Sequence, residues 1–161
     1  MEKKVGVGLI GSQFISSIHA DALSRVADCE ILAVMSPTKG HAKDFAKKFN
    51  IPHYFTNLEL MLAKPEIDMV VIGAPNYLHC EITLKIAKAG KHIVVEKPFC
   101  MNLQEANKPQ IKKVVVVYAG RFQPFHKGHK KVYDALVSKF GSKNVYIATS
   151  DVQDGDKSPL S

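Results

Sequence analysis

A string of ten residues after an apolar run carries residue types that bind phosphate groups. It reads Gly-Arg-Phe-Gln-Pro-Phe-His-Lys-Gly-His over residues 120–129. At the start of a helix, His126 and His129 would lie on one face, beside free backbone N–H groups and the positive end of the helix dipole. Gly128 would let a phosphate group approach closely. Unliganded surface histidines and a His-x-x-His metal site are the alternatives, but the whole string favours phosphate, and we predict no metal site.

A second phosphate-binding turn is predicted near the amino terminus. Gly6, Gly8 and Gly11 have the spacing of the dinucleotide fingerprint, but the first two lie inside a predicted strand, where they cannot form the turn before a helix. Counting from Gly11 instead places Gln13 and Ser16 where glycines are expected. The helix start still offers N–H groups, with the Ser12 hydroxyl as a further donor, whereas Gln13 adds bulk. The predicted contacts are Gly11, Ser12, Gln13, Phe14 and Ile15.

The end of the second predicted strand bears on which dinucleotide would bind. A typical NAD site has an acidic residue there to hold the ribose hydroxyls, but this sequence has Ser36, Thr38 and Lys39. Hydroxyl groups and a lysine suit a 2′-phosphate, which predicts NADP in preference to NAD. An ordinary turn with a solvated lysine is the equal alternative.

Alternating short apolar runs and longer amphipathic segments predict the elements that position these residues. Such alternation is typical of βαβ units, and the continuous Val/Ile runs indicate strands covered on both faces. We predict strands at residues 5–11, 30–36, 53–55, 69–74, 92–96, 114–119 and 145–150. The fold class is therefore α/β, a single doubly wound Rossmann-like parallel sheet with strand order 3-2-1-4-5-6-7.

Size and composition restrict the class of protein. A chain of 161 residues suits one domain with one core, and we find no apolar run long enough for a membrane span and no signal peptide. The three cysteines lack disulfide-like or metal-like spacing, which favours a reducing compartment and predicts a cytoplasmic protein. The net charge of +7 comes from lysines spread over helix faces, so we predict a nucleotide or phosphate ligand and no nucleic-acid or membrane partner. The sequence does not determine the oligomeric state.

Residues 4–107 resemble the glucose-fructose oxidoreductase and inositol dehydrogenase (Gfo/Idh/MocA) family. The resemblance rests on Val7-Gly8-Leu9-Ile10-Gly11, His19-Ala20, Pro75-Asn76-x-x-His79, Ala89-Gly90-Lys91-His92 and Glu96-Lys97-Pro98, in that order. It implies that NADP or NAD is the cofactor and that Pro75, Asn76 and His79 line its nicotinamide side. It also implies a cofactor contact for Glu96 and a substrate-facing, catalytic role for Lys97, whose ammonium group can polarise a hydroxyl.

Residues 111–161 resemble the amino-terminal segment of the nucleotidylyltransferase superfamily, in particular nicotinamide-nucleotide adenylyltransferase-like members. The Gly-Arg-Phe-Gln-Pro-Phe-His-x-Gly-His string carries this resemblance. It implies that Gly120, Phe122 and Gly128 contact ATP or another nucleoside triphosphate and that His126 and His129 stabilise charge on the phosphates during transfer.

Together these observations predict one domain over residues 1–161, built from an oxidoreductase-derived and a nucleotidylyltransferase-derived segment. The large carboxy-terminal substrate domain of the Gfo/Idh/MocA family and the second nucleotidylyltransferase motif are not found in residues 108–161. We therefore expect an engineered chimera with at most residual nucleotide binding and no intact catalytic site. The alternatives are an NAD(P)-dependent oxidoreductase of the Gfo/Idh/MocA type and a nucleotidylyltransferase that uses the His-x-Gly-His motif.

Overall fold

A computed structural model describes residues 3–106, 116–119 and 127–148. Its centre is a seven-stranded sheet in the order β3-β2-β1-β4-β5-β6-β7, in which all neighbouring strands are parallel. The strands are β1 (Val5–Ile10), β2 (Cys29–Met35), β3 (His53–Phe55), β4 (Met69–Ile72), β5 (His92–Glu96), β6 (Val116–Ala119) and β7 (Val145–Ala148). The predicted fold class and strand order are confirmed.

The ends of β1, β2 and β4 differ from the predicted ones by one or two residues, whereas β3 and β5 match the prediction. The largest difference is in β4, which ends at Ile72, while residues 73 and 74 were predicted to continue it. Gly73 still donates its N–H to the carbonyl of Ile10 at the end of β1, 2.8 Å away, although β4 ends one residue earlier. Parts of the predicted strands 114–119 and 145–150 lie outside the described residues.

Helices connect the strands. They are α1 (Phe14–Leu23), α2 (Lys39–Lys48), α3 (Leu58–Leu62), α4 (His79–Lys88), α5 (Leu103–Ala106) and α6 (Lys127–Phe140). Asn57 caps α3 by accepting a hydrogen bond from the Leu60 N–H at 3.0 Å. No helix in the described ranges is long and apolar enough to cross a membrane.

The core has two parts, one on each face of the sheet. Val7, Leu9 and Val34 pack against α1 and α2, whereas Ile10 and Met35 belong to the cluster that includes α3, α4 and α6. Successive strand residues point to opposite faces, so the alternation along β1 and β2 separates the two clusters. This is the doubly wound arrangement that places strand ends, and the loops after them, at one edge of the sheet.

The buried face of α1 differs from the apolar stripe in its sequence. Phe14 and Ile18, which recur at helical spacing, are 79% and 48% exposed, while Ser16 and Ala20 are buried. A Cβ atom added at Gly73 would overlap the Ser16 hydroxyl, so only small side chains fit between this helix and the ends of β1 and β4. Close packing at the helix start therefore decides which face is buried.

Asp68 joins the amino terminus to the start of β4. Its carboxylate accepts hydrogen bonds from the Gly6 N–H and the Lys3 ammonium group, each at 2.9 Å. The Gly6 N–H and then Lys3 hold the pKa of Asp68 below its usual value, against the smaller effect of desolvation. Since the folded-state pKa is the lower one, this stabilisation is fully present above the unfolded-state pKa and is lost as the pH falls through the folded-state pKa.

We expect Asp68→Asn to lower the free energy of unfolding at pH 7 by about 1 kcal/mol, because a neutral acceptor makes weaker hydrogen bonds. The difference from wild type should shrink as the pH falls below about 4. Urea unfolding between pH 7 and the acid limit of folding measures both. Asp21→Asn is the control, since its ion pair with Arg25 is exposed and worth little. A constant difference at all pH values would contradict this origin.

Candidate nucleotide-binding site

The predicted site residues of the first half meet at the carboxyl edge of the sheet. The strands β2, β1, β4 and β5 are neighbours and parallel, so the residues that follow them lie side by side. Backbone hydrogen bonds fix this edge: the Gly11 N–H donates to Met35 O at 2.8 Å and the Ser36 N–H to Phe55 O at 3.0 Å. The strands β2 and β3 are added on one side of β1, and β4 and the later strands on its other side. Open α/β sheets bind ligands at such a switch point, here between β1 and β4.

Gly11 forms the turn between β1 and α1. Its φ angle is +100°, and a Cβ atom there would lie 2.6 Å from the carbonyl oxygen of Gly73. Gln13 precedes the first residue of α1 in an extended conformation and makes no capping hydrogen bond with its side chain. The start of α1 therefore presents backbone N–H groups toward this edge, as a pyrophosphate site requires. Ile15 is half-buried beside Phe14.

Ser16 occupies the position of the third fingerprint glycine without preventing close packing. It is 2% exposed, and the space for its hydroxyl comes from Gly73 on the neighbouring strand end. The sequence analysis did not single out Gly73. A glycine directly after a continuous apolar strand was the signal that could have identified it.

A cleft of about 230 Å³ lies between the start of α1 and one face of α2. At its edge the Ser12 hydroxyl donates to the hydroxyl of Ser36, 3.1 Å away. Thr38 precedes α2 and Lys39 is its first residue, and both side chains are exposed. The residues that line the cleft are Ser12, Gln13, Ser17, His41, Asp44, Phe45 and Lys48.

Ser17 and Phe45 were not predicted as site residues, and neither were the three ionisable lining residues His41, Asp44 and Lys48. These three lie on α2, beyond the strand end where the sequence analysis looked for an acid. A lysine and a histidine favour a negatively charged group in the cleft, whereas the Asp44 carboxylate opposes it. The spacing of four and three residues along α2 was the signal that places them on one face.

The residues after β4 divide into an exposed pair and a buried histidine. Pro75 and Asn76 are exposed, and Asn76 begins a short 3-10 turn. His79, predicted with them on the nicotinamide side, is only 1% exposed. Its Nε2 lies 2.8 Å from Ala74 O and its Nδ1 2.8 Å from Pro98 O. The structure thus places its ring behind the surface that Pro75 and Asn76 form.

Glu96, at the end of β5, is hydrogen-bonded to a histidine of α1. Its Oε1 lies 2.9 Å from Nε2 of His19, and both side chains are 19% exposed. The hydrogen bond from His19 lowers the pKa of Glu96, and this effect outweighs desolvation; the Lys97 N–H and the charge of Lys97 also lower it. An ionised carboxylate therefore lies beside the exposed side chain of Lys97. The Lys97-Pro98 peptide bond is cis.

The histidine string of the second half falls mostly outside the described residues. Gly120, Phe122 and His126 lie there, while Gly128 and His129 belong to the first turn of α6. The predicted phosphate site therefore stays a prediction. Within the described ranges, no group of three or more His, Cys, Asp or Glu side chains is placed to hold a metal ion.

Comparison with known proteins bears on the first half directly. The model of the oxidoreductase family with an NAD-binding Rossmann fold (Gfo/Idh/MocA) matches residues 5–111. The chain belongs to this family. A cytidylyltransferase-like model matches residues 117–161, so both predicted segments have a matching family model, while an artificial origin of their union is not shown.

Relatives extend the oxidoreductase similarity into the second segment. The chain is 35% identical over 97 residues to scyllo-inositol 2-dehydrogenase (NADP(+)) IolU of Bacillus subtilis. This alignment covers 60% of this chain and 30% of that protein. It is 26% identical over 148 residues to myo-inositol 2-dehydrogenase of Thermotoga maritima, which covers 89% and 44%. A match to 89% of the chain must extend past residue 111. These findings favour the oxidoreductase alternative over a domain without an intact catalytic site.

Solved structures agree on the fold. A probable dehydrogenase from Thermotoga maritima superimposes with a TM-score of 0.67 at 23% identity, covering 83% of this chain and 41% of that one. Levoglucosan dehydrogenase in complex with NADH gives 0.62 at 28% identity, covering 65% and 30%. The chain spans between 27% and 45% of the length of the curated relatives.

Proposed function

We propose that this chain is the cofactor-binding part of an NAD(P)-dependent oxidoreductase that acts on a hydroxyl group of a polyol or sugar. The observation that carries the proposal is the turn at Gly11, where a left-handed glycine and the start of α1 lie at the switch point between β1 and β4. The names of the inositol dehydrogenases among the relatives support the substrate class.

Each part of the carboxyl edge has a separate task in this proposal. The N–H groups at the start of α1, with the Ser12 hydroxyl, hold the pyrophosphate. Pro75 and Asn76 contact the nicotinamide side, and the bound nicotinamide ring supplies hydride chemistry. Lys97 directs its ammonium group toward the substrate hydroxyl and stabilises negative charge that develops there. The ionised Glu96 contacts the cofactor end nearest Lys97.

The preference for NADP rests on the end of β2. Ser36 is hydrogen-bonded to Ser12 of the cleft, and Thr38 and Lys39 lie at the start of the helix that contributes His41 and Lys48 to it. Basic and hydroxyl groups would therefore surround a 2′-phosphate bound there. Asp44 in the same cleft reduces that preference. We therefore propose a moderate preference for NADP.

We expect NADPH to bind about tenfold more tightly than NADH, which corresponds to about 1.4 kcal/mol. Lys39→Ala should remove most of that difference by weakening NADPH alone, and Gly11→Ala should weaken both because its Cβ would lie 2.6 Å from Gly73 O. Fluorescence titration of the reduced cofactors measures this. Lys47→Ala, at the other end of α2, is the matched control. Equal affinities for both cofactors in wild type and Lys39→Ala would contradict the preference, and no binding of either would contradict the proposed function.

Nucleoside triphosphate binding at Gly120, Phe122, His126, Gly128 and His129 is the second candidate, favoured by the cytidylyltransferase-like match. The same titration with CTP and ATP tests it. Binding that is lost in the double variant His126→Ala/His129→Ala and retained in Gly11→Ala would support this site.

A further inference from the structure

One buried imidazole ring connects the two turns that carry Asn76 and Lys97. His79 is 1% exposed, and its two ring nitrogens each lie 2.8 Å from a backbone carbonyl oxygen. Those carbonyl groups belong to Ala74, after β4, and to Pro98, after β5. A single side chain at the start of α4 thus spans the gap between two neighbouring strand ends.

The chemistry of these two contacts indicates that His79 links the two turns and is more than a buried side chain that fills space. Carbonyl oxygens only accept hydrogen bonds, so holding both of them at 2.8 Å needs an N–H donor at each ring nitrogen. The ring is buried and both contacts are part-buried, so a carbonyl that loses this donor is poorly compensated and the arrangement is costly to disturb. Residues near it in the chain are buried as well: Cys80, Ile82 and Ile86 of α4 and Phe99 after Pro98.

The contacts are next to the residues that the proposed function uses. Ala74 immediately precedes Pro75 and Asn76, and Pro98 immediately follows Lys97. Each carbonyl is within two residues of a side chain that would touch the nicotinamide or the substrate. Reacting groups must be held to within about 0.5 Å of their working positions, so the separation of these two turns matters for the proposed chemistry.

We propose that His79 is a positioning residue that sets the separation between the Asn76 turn and the Lys97 turn. This inference rests on the proposed function for its consequence in cofactor binding, but the link itself is a property of the fold. His79 does not touch the ligand. It acts through the two carbonyl groups, and its loss lets the two turns move independently.

The link is tested by backbone hydrogen exchange in residues 75–78 and 97–101. His79→Phe keeps a ring but donates to neither carbonyl, and His79→Gln keeps one donor group at most. The control is Thr83→Val, one turn further along α4, where a buried hydroxyl has no hydrogen-bond partner among the described residues. We expect exchange to accelerate about tenfold in both segments in His79→Phe, in one segment in His79→Gln, and in neither in the control.

The link would be overturned if hydrogen exchange in His79→Phe accelerated equally in β1 and β4, or if it changed in neither residues 75–78 nor residues 97–101. If His79→Phe does not fold, His79→Gln carries the test alone, because one released segment with an unchanged sheet is the expected pattern.

The consequence for the ligand is tested with NADPH and with adenosine 2′,5′-bisphosphate, which lacks the nicotinamide end. We expect His79→Gln to weaken NADPH about tenfold and to leave the fragment unchanged, because only the nicotinamide end meets the two turns. Equal weakening of both ligands, or of neither, would overturn the positioning role. If wild type binds neither ligand, the proposed function fails, while the exchange experiment still decides whether His79 links the turns.

Discussion

Gly6→Ala is expected to lower the free energy of unfolding by about 3 kcal/mol, because a Cβ atom at this position overlaps the backbone of another segment. The atom would meet the carbonyl oxygen of Glu66 and lie 2.8 Å from Cδ1 of Leu32. A backbone carbonyl cannot turn away as a side chain can. Moving it would also displace Asp68, whose carboxylate accepts the Gly6 N–H.

Urea unfolding of three alanine variants isolates this cause. Gly8→Ala, in the same strand, would place a Cβ 3.3 Å from the flexible end of Met61, so we expect a loss under about 1 kcal/mol. A Cβ atom added at Gly40, in α2, would meet no described atom within 4 Å. Gly40→Ala should therefore raise the free energy of unfolding by about 0.5 kcal/mol. Similar losses for Gly6→Ala and Gly8→Ala would show that strand propensity, and not the contact with Glu66, determines the effect.

Leu136→Ala is expected to destabilise the whole described sheet by about 2 to 5 kcal/mol. Leu136 lies on α6, is fully buried, and belongs to the same hydrophobic cluster as Ile10, Ile72 and Val95. The strand β6 pairs with β5 from Ile93↔Val116 to Glu96↔Ala119, so the second segment extends the sheet of the first. A cavity at Leu136 therefore weakens a core that both segments share.

The measurement is thermal unfolding followed both by calorimetry and by hydrogen exchange in β1 and β4. We expect one cooperative transition in wild type, shifted to lower temperature as a whole in Leu136→Ala. Leu60→Ala, on the exposed side of α3 at 63% exposure, is the matched control and should change little. Two transitions, with β1 and β4 unaffected by Leu136→Ala, would mean that the segments fold as separate units.

The site could be predicted in part because its turn residues have local causes. Gly11 was placed correctly since a glycine that ends an apolar strand and precedes a helix is a local pattern. The effect of Gln13 and Ser16 at two glycine positions of the dinucleotide fingerprint was not predictable from local sequence. The room for Ser16 depends on Gly73, which lies more than fifty residues away in the sequence and contacts it only after β1 and β4 have paired.

His79 shows the same limit for function. The Pro75-Asn76-x-x-His79 pattern placed all three residues at one edge of the sheet, and the structure does the same. Exposure then separates them, because the ring of His79 reaches the carbonyl of Pro98 from a neighbouring strand end. No spacing within residues 75–79 contains that information.

The amino-acid sequence by itself determined the parallel doubly wound sheet, its strand order and the turn at Gly11, because hydrophobic periodicity and turn residues act within a few neighbouring residues. Only the tertiary structure decided which face of α1 is buried, why no side chain larger than that of glycine fits at Gly6, and where the ring of His79 points. Each of these depends on a close approach between backbone segments that are distant in sequence, and such an approach exists only after the sheet has formed.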